Sequence, residues 1–429
     1  MALGCACYFW TKHVNHANSS TTADLDDLPL ASPSDVDDLL AQSSPIGADL
    51  AAHPTAPRSL IRRTLSLITR SLGTAFDYLS LVTILAVMTA LPVIQLIAFG
   101  YLLDVAGRLT AGAKLRDTLD WLRPAGQLGM AIVAILVVAL PIHLLTHWGR
   151  AADLVSPGTP QAEAIRTLSV VLVFLAVPYL GWAWVRGGRI RDYLWPRPIE
   201  FLKRAWRPTT WLYAADRLWD FIASWRLGKR FWLGLRGAVA TLIWLLPATV
   251  IIAANRRGET GLAGLVGGLA FIAMGFSLMY LPMLQANFAA ENRFKAMFQW
   301  RRIRSDFRRA PWAWLLAMVL SLVVLPIPLY LLKIEPPPPE LVWLPTWFFI
   351  FLMLPARIAC GLALRRARSK PQPSGKWAFV SRWTVRLLMP FVVGTYLLFV
   401  YISQYVSWDG LQTWVQQHAV LVPVPFVGV

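Results

Sequence analysis

At 429 residues the chain is long enough for two or three soluble domains, but its composition excludes that organisation. Hydrophobic residues make up 56%, charged residues only 15%, and the mean hydropathy is +0.51, which leaves too little polar surface to cover a globule of this size. The net charge of +18 is unevenly divided: residues 1–57 hold seven Asp and one Lys, and the rest holds 40 Lys and Arg against 16 Asp and Glu.

The acidic stretch 1–57 is rich in Ser, Ala and Pro and reads as a disordered tail. Its opening, MALGCACYFW, has no basic stretch followed by a long apolar run, so no secretory signal is expected. Cys5, Cys7, His13 and His16 superficially resemble a zinc site, but the C-x-C spacing departs from the usual knuckle and no core follows it. No metal or other cofactor is expected. Three cysteines are too few for a disulfide framework. Over 58–75, Ile61, Leu65, Ile68 and Leu72 share one helical face and Arg62, Arg63 and Arg70 the other, the pattern of an amphipathic helix lying in the membrane interface.

Beyond it the charges are segregated. No Asp, Glu, Lys or Arg occurs in 78–103, 124–149, 167–185, 237–255, 260–290, 310–332, 341–356 or 387–408. About 20 apolar residues in a helix rise about 30 Å, the thickness of a bilayer's hydrocarbon core. The fold class is therefore all-α, a polytopic membrane protein of about eight helices. A first membrane half (76–185) is followed by a basic loop (186–236), by segments 4–8 (237–408) and by a tail (409–429). Each run holds a proline: Pro92, Pro141, Pro178, Pro247, Pro282, Pro326, Pro355 and Pro390. Kinked helices are expected. LPVIQ at 91–95 against LPMLQ at 281–285, and VALPIHL at 138–144 against VVLPIPL at 323–329, suggest a four-plus-four repeat. Gly264 and Gly268 form a G-x-x-x-G that permits close helix approach.

Lys and Arg counts between the runs alternate: four, two, twelve, two, seven, one, seven and none. The positive-inside rule then places loops 104–123, 186–236, 291–309 and 365–386 in the cytoplasm. Parity would put the N-terminus outside despite Arg58, Arg62, Arg63 and Arg70. A re-entrant hairpin bending near Pro92 removes the conflict; translocation of the tail is the alternative.

Few residues suggest chemistry. Arg357 lies inside segment 7, and intramembrane charges often mark a pathway or a partner, although snorkelling explains part of its depth. Gln95, Gln285 and Asn287 are the polar neighbours it could meet. His143 and His147 are four apart and stack on one face, a spacing that could hold a metal, but no further ligand is near in sequence. In the 186–236 loop, basic residues alternate with six tryptophans. Trp195, Arg197, Lys203, Arg204, Trp206, Arg207, Trp225, Lys229, Arg230 and Trp232 are read as lipid-facing, with Trp at headgroup depth and cations on anionic lipid. Nucleic-acid binding is the weaker reading of such a loop between membrane helices.

The stretch 92–103, PVIQLIAFGYLL, followed by Arg108 and an Ala-Gly turn, resembles the opening of a prokaryotic membrane family, domain of unknown function 4013. The likeness covers 92–145, with an echo at 282–330; Gln95 stands where Asn is expected and Asp104 where a basic residue is usual. The resemblance implies a multi-pass protein of a prokaryotic plasma (inner) membrane, with no assigned activity and no catalytic residue to carry over. The residues themselves point to a non-enzymatic component that binds anionic headgroups or a partner protein through its basic loops. The alternative is a transporter or channel for an uncharged or anionic solute. No nucleophile elbow, phosphate loop or paired carboxylates support an enzyme.

Overall fold

The computed structural model describes residues 60–195, 197–255, 260–326, 343–406 and 421. The chain divides into two units, 1–68 and 69–429; of the first, only the start of a helix is described. Among the described residues there are fourteen α-helices and no strand. Seven helical segments are long and apolar enough to cross a membrane, and the bent pair Trp300–Arg309 and Pro311–Val324 makes an eighth if it counts as one span. Within the described residues, each of the eight charge-free runs overlaps one of these elements.

The first helix, α1 (Leu60–Ala90), is continuous. The expected amphipathic stretch, from Leu60 onward, runs into segment 1 without a break in the helical backbone. The expected bend does occur at Pro92. Residues 91–94 form a turn in which Val93 adopts a φ of 69°, and the chain resumes as α2 (Gln95–Thr110). Pro92 supplies no N–H to the ladder and its ring opposes helix continuation, so the long run splits in two.

At 16 residues, α2 would rise about 24 Å, short of a full crossing. Eleven of those residues are buried. It is enclosed by α9 (Leu227–Asn255), α10 (Thr260–Glu291) and α13 (Trp343–Ser369). Glycines set these contacts. At the crossing of α2 and α9, a side chain on Gly100 would overlap the Arg230 carbonyl, and one on Gly234 would overlap the Leu96 carbonyl. Gly107 lies against Ala289 of α10, and a Cβ on Gly361 of α13 would fall 2.7 Å from the Ala106 carbonyl oxygen. Backbones this close gain dispersion contacts that larger residues would prevent. Gly268 of the G-x-x-x-G meets nothing within 4 Å, so the close approaches to α2 are made at other glycines than Gly268.

After a single turn, α3 (Leu115–Thr118), the helices α4 (Leu122–Val155) and α5 (Pro160–Arg186) form a hairpin. Little of the most hydrophobic part of either is buried. That exposure suits lipid contact rather than water. Between α5 and α9 lie α6 (Ile190–Leu194), α7 (Pro198–Ala205) and α8 (Pro208–Ser224). None of the described side chains of α8 is buried, and Trp211, Leu212, Tyr213 and Trp219 are each more than half exposed.

A 3-10 turn, Phe294–Phe298, leads into α11 (Trp300–Arg309), which meets α12 (Pro311–Val319) at 111°. Along α11, Ile303, Asp306 and Phe307 face inward and Arg301, Arg302, Arg304 and Arg308 outward. This is the amphipathic pattern of a surface helix. After α12 the helix widens to a π-turn over Leu320–Val324, closed by the Leu325 N–H on the Leu320 carbonyl at 3.1 Å. Pro326 follows, and the wider turn eases the clash its ring would make with a carbonyl one turn back. The last helix, α14 (Lys376–Val406), contains Pro390. Pro141, Pro178, Pro247, Pro282 and Pro355 also stand inside continuous helices.

Candidate functional site

The basic loop does not present all its residues to lipid. Arg230 and Trp225 are 2% and 7% exposed, which corrects their reading as lipid-facing. The Arg230 guanidinium lies over the rings of Trp121 (4.4 Å) and Tyr101 (5.0 Å). It donates to both carboxylate oxygens of Asp120, at 2.8 and 2.6 Å, and to the Trp225 carbonyl at 2.8 Å, with Asp104 at 3.4 Å. Arg108 completes the network, 3.3 Å from Asp104 and 3.0 Å from Asp120. Tyr101 and Trp121 are stacked at 4.4 Å, and the Trp121 indole donates to the Trp225 carbonyl at 3.1 Å. A planar cation against a stacked aromatic pair, with a carboxylate that turns both oxygens to one guanidinium nitrogen, is an environment in which burial of Arg is offset. This cluster ties α2, the turn 119–121 and α9 together.

A second polar group lies inside the bundle. Arg357 is 3% exposed; it donates to the Gln285 side chain and sits 5.6 Å above the Phe99 ring. The Gln285 amide donates in turn to Thr241 and to the Leu421 carbonyl, each at 2.8 Å. Of the three expected neighbours, Gln285 reaches Arg357. Asn287 accepts from Arg368 and donates to the Ala296 carbonyl at 2.9 Å. The buried Gln95 Oε1 finds no hydrogen-bond partner among the described residues. His143 and His147 do stack, edge to face at 4.6 Å, but no group of three or more His, Cys, Asp or Glu able to hold a metal occurs among the described residues. The Cys5, Cys7, His13, His16 cluster lies outside them.

A further candidate site is formed by α5, α6, α7 and α8. A cavity of about 740 Å³ is lined by six arginines, Arg186, Arg191, Arg197, Arg204, Arg207 and Arg217, against two acids, Asp192 and Glu200. Trp182, Trp195 and Tyr213 supply aromatic walls. The local sequence explains the shape. Gly187 and Gly188, with φ of 147° and 62°, end α5 in conformations that side-chain-bearing residues rarely adopt. The chain therefore reverses at once into α6, and Pro198 and Pro208 begin α7 and α8 at positions where their missing N–H costs nothing.

Several of these side chains are committed to holding the walls. Arg186 donates to the Trp195 carbonyl at 2.8 Å and lies 3.5 Å from Asp192. Arg217 donates to the Val185 carbonyl at 2.7 Å. Glu200 pairs with Arg204 at 3.1 Å and with Arg197 at 3.7 Å. Arg191 and Arg207 make no side-chain hydrogen bond or ion pair among the described residues. Trp182 is 6% exposed, and its indole N–H has no partner there either.

Of the residues read as lipid-facing, Trp195, Arg197, Arg204 and Arg207 line this cavity, whereas Lys203, Trp206, Lys229 and Trp232 are exposed beside it or on α9. The sequence reading missed Trp182, Arg186, Arg191, Tyr213 and Arg217. The signal present was the Gly-Gly pair, which forces the helix ends on either side of it together.

No curated protein and no solved structure matches the chain. A family does, over a stretch that takes in the echo at 282–330 and not 92–145, on which the resemblance rests. From α8 through α12, residues 219–334 match the family described as Protein of unknown function (DUF4013).

Proposed function

We propose that this membrane protein is a non-enzymatic component that gathers anionic lipid headgroups, or an acidic partner protein, at a basic cytoplasmic face of a prokaryotic plasma membrane. One observation carries the reading. The basic loops meet at a common set of contacts. Arg365 donates to the Ala113 carbonyl at 2.9 Å, Arg368 to Asp306 at 3.2 Å, Arg236 to Asn292 at 2.6 Å, and Arg230 reaches Asp104 and Asp120. Segments 104–123, 186–236, 291–309 and 365–386 are thereby linked to one another. Around them, Trp195, Trp206, Trp211 and Trp219 are exposed beside outward-facing arginines. Amphipathic aromatic rings suit headgroup depth, and guanidinium groups suit phosphate.

The test uses the full-length chain reconstituted in mixed phosphatidylcholine and phosphatidylglycerol, then extracted mildly, with the retained lipid quantified. Enrichment of phosphatidylglycerol that falls as salt rises is expected. Retained lipid of the same composition as the bulk, at low and high salt alike, overturns the reading.

The line Arg357, Gln285, Thr241 inside the bundle favours a second reading, passage of an uncharged or anionic solute. Arg357→Gln that leaves solute uptake into reconstituted vesicles unchanged removes that support.

A further inference from the structure

We infer that the cavity between α5 and α8 is a binding site for a phosphate monoester, a deepening that rests on the anionic-lipid reading above. Three observations converge there. First, the lining holds six guanidinium groups and two carboxylates, an excess of positive charge suited to a dianion more than to the single charge of a phosphodiester. Second, the acids are already engaged by Arg186, Arg197 and Arg204, while Arg191 and Arg207 line the cavity with no ion pair among the described residues. Arginine's planar fork matches phosphate oxygens two at a time. Third, Trp182 lines the same cavity with its indole N–H buried and without a hydrogen-bond acceptor among the described residues. A buried donor left unmade is costly, and an anionic oxygen would satisfy it.

The volume of about 740 Å³ exceeds what a bare phosphate needs and leaves room for a glycerol- or sugar-sized group against Trp195 and Tyr213. The shared chemistry, a terminal phosphate, is present both in a lipid such as phosphatidic acid and in a soluble phosphate ester.

The experiment separates these sources. The full-length chain in phosphatidylcholine nanodiscs is titrated with glycerol 3-phosphate by calorimetry. Parallel discs contain phosphatidic acid or phosphatidylglycerol, and retained lipid is measured. Three variants are compared with the parent: R191Q/R207Q, W182F, and R301Q/R304Q on the outward face of α11. Loss of two charge-assisted contacts in R191Q/R207Q should weaken monoester binding by about tenfold or more. W182F keeps an aromatic, though smaller, ring and removes the donor, so a smaller loss is expected, and R301Q/R304Q should leave monoester binding unchanged. Binding of glycerol 3-phosphate with this dependence assigns the site to a soluble ester; selective retention of phosphatidic acid alone assigns it to a lipid headgroup. Monoester binding that is absent, or equal in the parent and R191Q/R207Q, overturns the site. If phosphatidylglycerol enrichment persists in that case, the anionic-lipid reading survives without the cavity; if it is lost as well, both fail.

Discussion

At the scale of single residues, the two buried arginines differ in what holds them. Arg230 has carboxylates on one side and an aromatic pair on the other, whereas Arg357 donates to a neutral amide. Removing one partner of a buried ion pair typically costs about 3–5 kcal/mol, because the other charge is left uncompensated. Arg230→Gln should therefore lower the unfolding midpoint in detergent, with Asp120 left to Arg108 alone. Arg230→Lys should recover only part of the loss, because an ammonium cannot reach Asp120 and the Trp225 carbonyl from two nitrogens and cannot lie flat against the Trp121 ring. Equal stability of all three proteins would contradict the assignment. Nothing in the sequence announced this cluster. Asp120 and Asp104 lie 110 and 126 positions from Arg230, and a basic residue among tryptophans looks the same whether it faces lipid or a distant carboxylate. Arg357 was legible as buried because it interrupts an apolar run, but its partner was not, since Gln95, Gln285 and Asn287 are equally polar on paper.

At the scale of elements, hydrophobic runs translated directly into helices because a bilayer demands internally satisfied backbones. The bend at Pro92 was legible for the same reason that proline cannot continue a ladder. The exposed helix α8 was not, because its Trp and Leu residues are as apolar as those of a buried span. Its outward rings allow a separate test. Trp211→Ala with Trp219→Ala should leave stability within about 0.5 kcal/mol, as for other exposed positions, while reducing retention of anionic lipid. A large drop in the unfolding midpoint instead would mean that α8 packs against the body. The repeat between the two halves is not visible as matching shapes. Pro92 sits in a break, whereas Pro282 lies within continuous α10; α4 is one long helix through Pro141, whereas its counterpart near Pro326 bends and widens. Shared Leu-Pro pairs in leucine-rich helices do not by themselves impose a common geometry.

At the scale of the whole molecule, alternating Lys and Arg counts expressed a real spatial grouping, since the four basic loops bond to one another. Cysteines introduced at Lys203, Arg301 and Lys370, all exposed, should react with a membrane-impermeant reagent from one side of sealed vesicles, and one at Gly158 from the other. Labelling of Lys203 and Lys370 from opposite sides would break the topology. The enclosure of α2 also constrains how the protein is made. When the ribosome has completed residue 110, α2 exists but α9, α10 and α13, the helices that cover it, have not been synthesised. A segment too short to span alone must wait at the translocon or in the headgroup layer until more than a hundred further residues emerge. Assembly of the body is therefore a late event in the biogenesis of this chain, and premature termination before α9 would leave α2 with no glycine-lined groove to enter.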